Sequence, residues 1–313
     1  MTQVGARFHS SREPPPGVEE MPFATGAWRA LWRRAARDRL AMLGLGVITI
    51  FVLAALTAPL LSPHDPISVD AMRRLEGPTL EHPLGTDNLG RDLLSRLMYG
   101  SRASLGTVAL ATALILSIGV GVGVMAGYYG GLLDDMLMRI VDLLLGFPSL
   151  LLALAIAGTL GPGLTQVMIA LVTVWWVSYA RIVRGMVLGL RERDFIQAAR
   201  CLGASNSRIV RRYILPNILP PIAILATLEM GELILAISGL SFLGLGAQPP
   251  AAEWGTMIND GRPFIFTAPA LMIYPGLAIS AVVIGFNLLG DGLRDALDPR
   301  FTLEATSELS SRR

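Results

Sequence analysis

Two glutamates inside a long apolar run carry the most unusual chemistry in the chain. Glu229 and Glu232 are three residues apart, so both fall on one side of a helix. A carboxylate at mid-membrane costs about 2.5–3.5 kcal/mol on insertion scales and should face a watery cavity or a partner group. The pair could line a translocation path and meet the amino group of a solute. An inter-helix hydrogen bond, or a carboxyl group that keeps its proton, explains the same pattern.

Two histidines raise the question of a metal site. His64 and His82 share one segment with Asp65 and Asp87, and imidazole and carboxylate groups are common metal ligands. The histidines are 18 residues apart in a proline-rich stretch, which fits no compact ligand spacing. The sequence therefore predicts no metal site in this chain.

Other enzymatic chemistry lacks the residues that it needs. All 26 basic residues are arginine, so no lysine is present for a phosphate-binding loop or a Schiff base. The single cysteine, Cys201, excludes an internal disulfide and a cysteine-rich metal site. Neither Gly-x-Ser-x-Gly nor His-Glu-x-x-His occurs, and a net charge of +2 is too small to indicate nucleic-acid binding. The chain is therefore predicted not to be an enzyme.

The elements that must position the glutamates are membrane helices. The chain is 52% hydrophobic and only 16% charged, and a helix needs about 20 apolar residues to cross the bilayer. Residues 143–180 carry no charge, and as one helix they would be about 57 Å long, so Gly161-Pro162-Gly163 is expected to fold the chain back. The sequence predicts an all-α polytopic protein with six spans, at 40–61, 105–128, 138–160, 164–182, 219–240 and 268–289.

Arginine placement predicts the orientation of these spans. Six spans put both ends of the chain on one side, and 20 of the 26 arginines fall on that side. The positive-inside rule therefore predicts that the N- and C-termini are cytoplasmic. The predicted parts are a partly disordered tail (1–39), the first helix (40–61), an external loop with an amphipathic helix starting at Thr86-Asp87-Asn88 (62–104), a transmembrane core (105–290) with a cytoplasmic loop (191–216), and a C-terminal tail (291–313).

The arginine-rich stretch "RDFIQAARCLGASNSRIVRRYILPNILP" at 193–220 is polar although long apolar runs flank it. Phe195, Ala199 and Leu202 recur at helical spacing, which predicts a short helix with one apolar ridge, ended by Gly203. Ser205 is expected to cap a second helix, which Leu215-Pro216 should stop. In that second helix three arginines share a face: Arg208, Arg211 and Arg212.

Two short helices that are polar on one side and apolar at the tip do not bury their own apolar surface. We therefore expect this stretch to insert into a socket on a partner protein.

The stretch resembles the cytoplasmic loop shared by the inner-membrane permease subunits of ABC importers, which reads Glu-Ala-Ala, three residues, Gly, nine residues and Ile-x-Leu-Pro. Two positions depart from that pattern, since Gln197 replaces Glu and Tyr213 replaces Ile. The remaining matches are Ala198, Ala199, Gly203, Leu215 and Pro216.

Four further segments resemble the permeases for dipeptides, oligopeptides and nickel, and in particular the second of the two permeases that such systems use. They occur in the family's order: "HPLGTDNLGRDLLSRLMYGSRASL" (82–105), "DDMLMRIVDLLLGFPSLLLAL" (134–154), "LSFLGLGAQPPAAEWGTM" (240–257) and "YPGLAISAVVIGFNLLGDGLRDALDPR" (274–300).

The resemblance implies a type I ABC importer permease in the bacterial inner membrane. Its implied partners are a second homologous permease, two ATP-binding subunits that hold ATP and Mg²⁺, an extracytoplasmic substrate-binding protein and membrane lipid. The external loop and residues 248–261 would receive that binding protein. The coupling residues implied in the loop are Phe195, Gln197, Ala198, Ala199, Leu202, Gly203, Arg208, Leu215 and Pro216. The implied cargo is a dipeptide or oligopeptide, with nickel chelates, glutathione or glycans as alternatives.

A proton-coupled secondary transporter is the competing hypothesis, with the two glutamates as the proton relay. It would work without partner ATPases and is expected to show inverted repeats, of which the sequence gives no clear sign.

A glycine-rich sequence concerns helix packing: "GVGVGVMAG" looks like a dinucleotide fingerprint but lies inside an apolar span without a preceding strand. Its residues Gly119, Gly123 and Gly127 recur every four positions, which predicts close helix packing.

Overall fold

The computed structural model describes residue 33 and residues 35–297, and this part of the chain is helical, without strands. Most of the predicted N-terminal tail and part of the C-terminal tail lie outside the described residues. We number the α-helices in chain order: α1 Arg39–Leu61, α2 Leu93–Tyr129, α3 Gly131–Leu145, α4 Ser149–Leu160, α5 Leu164–Arg191, α6 Asp194–Cys201, α7 Asn206–Ile209, α8 Leu215–Phe242, α9 Trp254–Gly261 and α10 Ala270–Leu297. Two 3₁₀ turns, Ala71–Arg73 and Arg262–Phe264, and a π-helical segment, Val210–Ile214, complete the helical elements of the described chain.

Within the described residues, five helices are long and apolar enough to cross a membrane: α1, α2, α5, α10 and the continuous run Asn206–Phe242. The third span expected at 138–160 is not one straight helix, because α3 and α4 meet at an angle of 88°. Pro148 lacks an N–H group and disfavours helical backbone at the residue before it, so the helix breaks between Gly146 and Pro148. Counted as one broken span, this pair brings the total to six.

Helix α2 corrects a second expectation. The amphipathic helix predicted to start at Thr86-Asp87-Asn88 does not form there, because the Asp87 side chain accepts the N–H groups of Leu89 and Arg91 in a turn. Gly90 follows with a φ of 77°, which a helix does not accommodate. The helix begins only after Asp92, whose carboxylate caps the N–H of Ser95 at 2.7 Å. From there, one helix of 37 residues contains the predicted second span.

The glycine positions of α2 face α5. A Cβ atom added at Gly123 would lie 2.6 Å from the carbonyl oxygen of Ala180, and one added at Gly119 would lie 2.6 Å from the Tyr179 Cβ. Gly127, one turn further on, faces Val187 in the same way. The two backbones therefore approach to a distance that a side chain would prevent. This contact fixes the end of α5, from which the arginine-rich stretch starts.

Candidate functional site

Helix α6 ends in a Schellman motif at the glycine that the sequence singled out. Gly203 has a φ of 80°, the left-handed conformation that glycine adopts without strain. Its N–H group donates to the Arg200 carbonyl at 2.9 Å, and the N–H of Ala204 donates to the Ala199 carbonyl at 3.0 Å. The prediction that Gly203 ends the first short helix is confirmed. The chain turns sharply here and passes into α7.

The apolar ridge on α6 differs by one residue from the prediction. Ala199 is buried beside Ile196, on the face that packs against the protein. The exposed face carries Phe195, Ala198 and Leu202, and Leu202 is 87% exposed. A helix rotates by about 100° per residue, so Ala198 and Leu202 lie on one side of Phe195 while Ala199 and Ile196 lie on the other. The docking face, as we name it, therefore consists of Phe195, Ala198 and Leu202.

Polar contacts hold the end of α5, α6 and the start of α7 to the end of α2. The Tyr128 hydroxyl donates to Asn206 Oδ1 at 2.9 Å, and the Arg200 guanidinium lies 5.4 Å from the centre of the Tyr128 ring. The Arg191 guanidinium donates to the Gly127 carbonyl at 3.2 Å. The Gln197 amide donates to the Arg191 carbonyl at 3.1 Å, at the position where the permease loop pattern has glutamate. The docking face thus sits on a base that is tied to two long helices.

The second short helix does not stop where the sequence predicted. From Asn206 the chain continues through the π-helical segment into α8 without a break, and Pro216 lies in the first turn of α8. In the π-helical segment the Leu215 N–H donates to the Val210 carbonyl, five residues back. The wider turn accommodates the proline that would otherwise clash with the preceding turn. Ser205 is the residue before α7, but its side chain makes no capping hydrogen bond.

The predicted basic face is present on this second helix. Arg208, Arg211 and Arg212 are exposed and line a shallow open groove together with Ser205 and Pro216. Leu215 is partly buried, as is Pro216. A groove lined by guanidinium groups favours a partner with carboxylates at its surface.

The two glutamates of α8 differ in their surroundings. Glu229 is half-buried, and its carboxylate lies beside the Tyr179 hydroxyl of α5. Neither that hydroxyl nor Glu229 Oε2 has a hydrogen-bond partner among the described residues. Glu232, one turn further along, is exposed. The pair therefore combines one acid at a helix interface with one on an open face.

The external segment brings together residues that are distant in sequence. The rings of His64 and His82 lie 4.5 Å apart between centres, and His82 Nδ1 lies 2.9 Å from Asp92 Oδ1. The prediction of no metal site relied on the 18-residue separation of the two histidines, but the fold brings their rings together. Sequence reasoning missed Asp92 as a neighbour of the histidines, and its sequence signal is that of a helix cap, three residues before Ser95.

A buried carboxylate that sequence reasoning also missed holds α9 against α2. Glu253 is fully buried and caps α9 by accepting the N–H groups of Gly255 and Thr256, each at 2.9 Å. It also accepts the Ser104 hydroxyl of α2 at 3.1 Å. Next to it, the Trp254 indole donates to the Leu97 carbonyl at 3.1 Å. These bonds fix the segment 248–261 to the start of α2.

Comparisons with known proteins agree over nearly the whole chain. The family model described as "Binding-protein-dependent transport system inner membrane component" matches residues 119–303. The model described as "N-terminal TM domain of oligopeptide transport permease C" matches residues 26–78.

Three curated relatives have comparable similarity. The dipeptide transport system permease protein DppC of Alkalihalophilus pseudofirmus is 46% identical over 92% of this chain and 94% of its own length. The nickel transport system permease protein NikC of Escherichia coli is 45% identical over 84% of this chain and 95% of its own length. The glutathione transport system permease protein GsiD of Pectobacterium atrosepticum is 42% identical over 87% of this chain and 91% of its own length.

Proposed function

Because the chain belongs to the family of binding-protein-dependent transport system inner membrane components, we propose that its docking face couples a membrane path to ATP-binding subunits in the cytoplasm. The chain is a multi-pass protein of the inner membrane and an ABC importer permease subunit, and such subunits are not themselves catalytic. The observation that carries the proposal is the exposed apolar face of α6 on a rigid base. An exposed Phe and Leu beside exposed arginines form a surface that a partner protein covers.

The assembly that we propose contains four other proteins. A second homologous permease completes the path, two ATP-binding subunits hold ATP and Mg²⁺, and a substrate-binding protein delivers cargo from the extracytoplasmic side. Each ATP-binding subunit provides one socket, so that each permease has one. In this arrangement both chain ends and residues 191–216 are cytoplasmic, and 62–104 with 248–261 face outward. ATP-driven closure of the two sockets moves α6, and the contacts of Tyr128 and Asn206 pass that motion to α2.

The single cysteine offers a test of this orientation. Cys201 is exposed on α6, next to the docking face. A membrane-impermeant maleimide should label Cys201 in inside-out vesicles and leave right-side-out vesicles unlabelled. Adding the two ATP-binding subunits should protect Cys201, because they cover α6. Labelling from the outside, or labelling that the ATP-binding subunits leave unchanged, would contradict the proposal.

The cargo that we propose is a dipeptide or short oligopeptide. One similar protein is named as a dipeptide permease, and the model of the oligopeptide permease N-terminal domain matches residues 26–78. The names of two other relatives favour nickel or glutathione as alternatives. The ligand that co-purifies with the companion substrate-binding protein distinguishes these cargoes.

We further propose that Glu229 and Glu232 belong to the path, with Glu232 facing the solute and Glu229 behind it. An exposed carboxylate on a membrane helix requires a water-filled cavity or a partner group, whereas Glu229 already has Tyr179 beside it. Replacing Glu232 by glutamine should lower the transport rate of a peptide with a free amino terminus about tenfold, the worth of one charged hydrogen bond.

The matched variant is Glu229→Gln, which should lower the rate less. An N-acetylated peptide should be transported equally by the native chain and by Glu232→Gln, because it lacks the charged amino group. If the native chain and Glu232→Gln transport the peptide with a free amino terminus at the same rate, Glu232 does not belong to the path.

A further inference from the structure

A histidine pair and an aspartate meet where the segment after α1 reaches the first turn of α2. His82 Nδ1 lies 2.9 Å from Asp92 Oδ1, and His64 Nδ1 lies 3.9 Å from the same oxygen. One ligand atom of each residue lies within 4.8 Å of the others. The side chains of His82 and Asp92 are almost completely buried, whereas the side chain of His64 is 34% exposed. The function proposed above makes no use of this cluster.

The spacing of the three atoms is close to that of ligands around a metal ion. Metal–ligand bonds of about 2.0–2.2 Å place neighbouring ligand atoms roughly 2.9–3.5 Å apart. The His82–Asp92 distance already lies in this range, and His64 Nδ1 must approach Asp92 Oδ1 by less than about 1 Å. His64 Nδ1 is buried and has no hydrogen-bond partner in the described part of the chain, so such a movement breaks no hydrogen bond at that atom. Two imidazoles and one carboxylate suit a divalent transition metal.

A second layer of hydrogen bonds holds the aspartate and the first histidine in place. Asp92 Oδ2 accepts both the N–H and the hydroxyl of Ser95, which leaves Oδ1 to face the histidines. The Ser95 hydroxyl oxygen also accepts the backbone N–H of His64 at 3.1 Å. Bonds of this kind orient metal ligands in proteins and raise metal affinity.

Arg73 determines the tautomer of His82. Its guanidinium donates to His82 Nε2 at 3.1 Å, so Nδ1 carries the ring proton and donates it to Asp92. A metal on Nδ1 requires the proton on Nε2, where Arg73 opposes it. Arg73 is therefore a competitor of the metal.

We propose that His64, His82 and Asp92 bind a divalent transition-metal ion of the Zn²⁺, Ni²⁺ and Co²⁺ class. The ion would join the segment after α1 to the first turn of α2. It would be a site on the protein, separate from any cargo in the path between the membrane helices.

The test uses the full-length chain in nanodiscs, stripped with a chelator and titrated with Co²⁺, whose visible absorption reports nitrogen and oxygen coordination. We expect one bound Co²⁺ per chain, displaced by Zn²⁺. His64→Gln should weaken Co²⁺ binding at least tenfold, because it removes one of three ligands. His9→Gln is the matched control, since it changes the chain's third histidine and should leave the affinity unchanged.

The effect of Arg73→Gln distinguishes a metal site from a hydrogen-bond network with only a structural role. The variant removes the competing donor and a nearby positive charge, so it should tighten Co²⁺ binding severalfold. Thermal unfolding of each variant without metal shows that it is folded. The proposal is overturned if the native chain gives no Co²⁺ absorption band, if His64→Gln binds like the native chain, or if Arg73→Gln binds more weakly.

Discussion

Replacing Leu202 by aspartate should abolish ATP-driven transport while the chain stays folded in the membrane. Leu202 is 87% exposed, so the substitution costs the isolated chain little. Docking would bury the side chain, which for leucine contributes about 2 kcal/mol, and would desolvate the new carboxylate at a cost of several more. A loss of about 4 kcal/mol weakens docking roughly a thousandfold. Co-purification of the ATP-binding subunits and transport in proteoliposomes measure the effect.

Leu80→Asp is the matched control for this prediction. Leu80 is fully exposed, but it lies between α1 and α2, on the side that we propose faces outward. The ATP-binding subunits should co-purify with Leu80→Asp as with the native chain. Normal co-purification and transport with Leu202→Asp would show that α6 is not the docking element.

A pair of neighbouring alanines distinguishes lost docking from misfolding. Ala198 is exposed on the docking face, whereas Ala199 is 7% exposed and packs inward. Ala198→Trp should therefore release the ATP-binding subunits and leave the melting temperature of the permease unchanged. Ala199→Trp should lower that melting temperature, because overpacking a core position costs roughly 1–3 kcal/mol.

The docking segment shows how far local sequence signals extend. Gly203 ends α6 as predicted, because the left-handed turn depends on one residue and its neighbours. The rotation of α6 was predicted wrongly for Ala199. Two apolar residues at helical spacing do not tell which side of them is buried. That side is determined by Ile196, which is a member of the main hydrophobic core.

Proline alone does not predict whether a helix ends. Pro148 breaks the third span, whereas Pro216 does not stop the helix that contains it. The difference is the π-helical turn before Pro216, in which the Leu215 N–H bonds five residues back and makes room for the ring. Proline removes a hydrogen bond in both places, and the neighbouring packing decides whether the helix bends or continues.

The contacts of the external segment could not be predicted from local pattern. His64 and Asp92 meet because the chain between them folds back onto α2, and sequence spacing carries no information about such a fold. Glu253 likewise has no local signal for its bond to Ser104, 149 residues away. By contrast, its bond to the Thr256 N–H has a local signal, because an acidic residue just before a short helix predicts a helix cap.

Removing the Glu253 side chain should produce the largest loss of stability among the variants considered. Four hydrogen bonds end on its two oxygens, from the N–H groups of Gly255 and Thr256 and from two hydroxyls. In Glu253→Ala the two N–H groups and the Ser104 hydroxyl lose this buried acceptor, at roughly 1–3 kcal/mol for each orphaned group, whereas the Thr256 hydroxyl still has the Ala247 carbonyl at 3.2 Å. We expect the free energy of unfolding to fall by about 3–5 kcal/mol and the apparent melting temperature by roughly 10 °C.

The control for this substitution is Glu76→Ala, because Glu76 is exposed and should tolerate truncation with almost no change in melting temperature. Thr256→Val should give an intermediate loss, since it removes only the hydroxyl that donates to Glu253 at 3.1 Å. If the loss of stability is confined to α9, the segment 248–261 detaches from α2 before the whole chain unfolds. Delivery of cargo from the substrate-binding protein should then slow. If Glu253→Ala melts like Glu76→Ala, the Glu253 carboxylate does not hold α9 to α2, and the outward surface proposed for 248–261 loses its support.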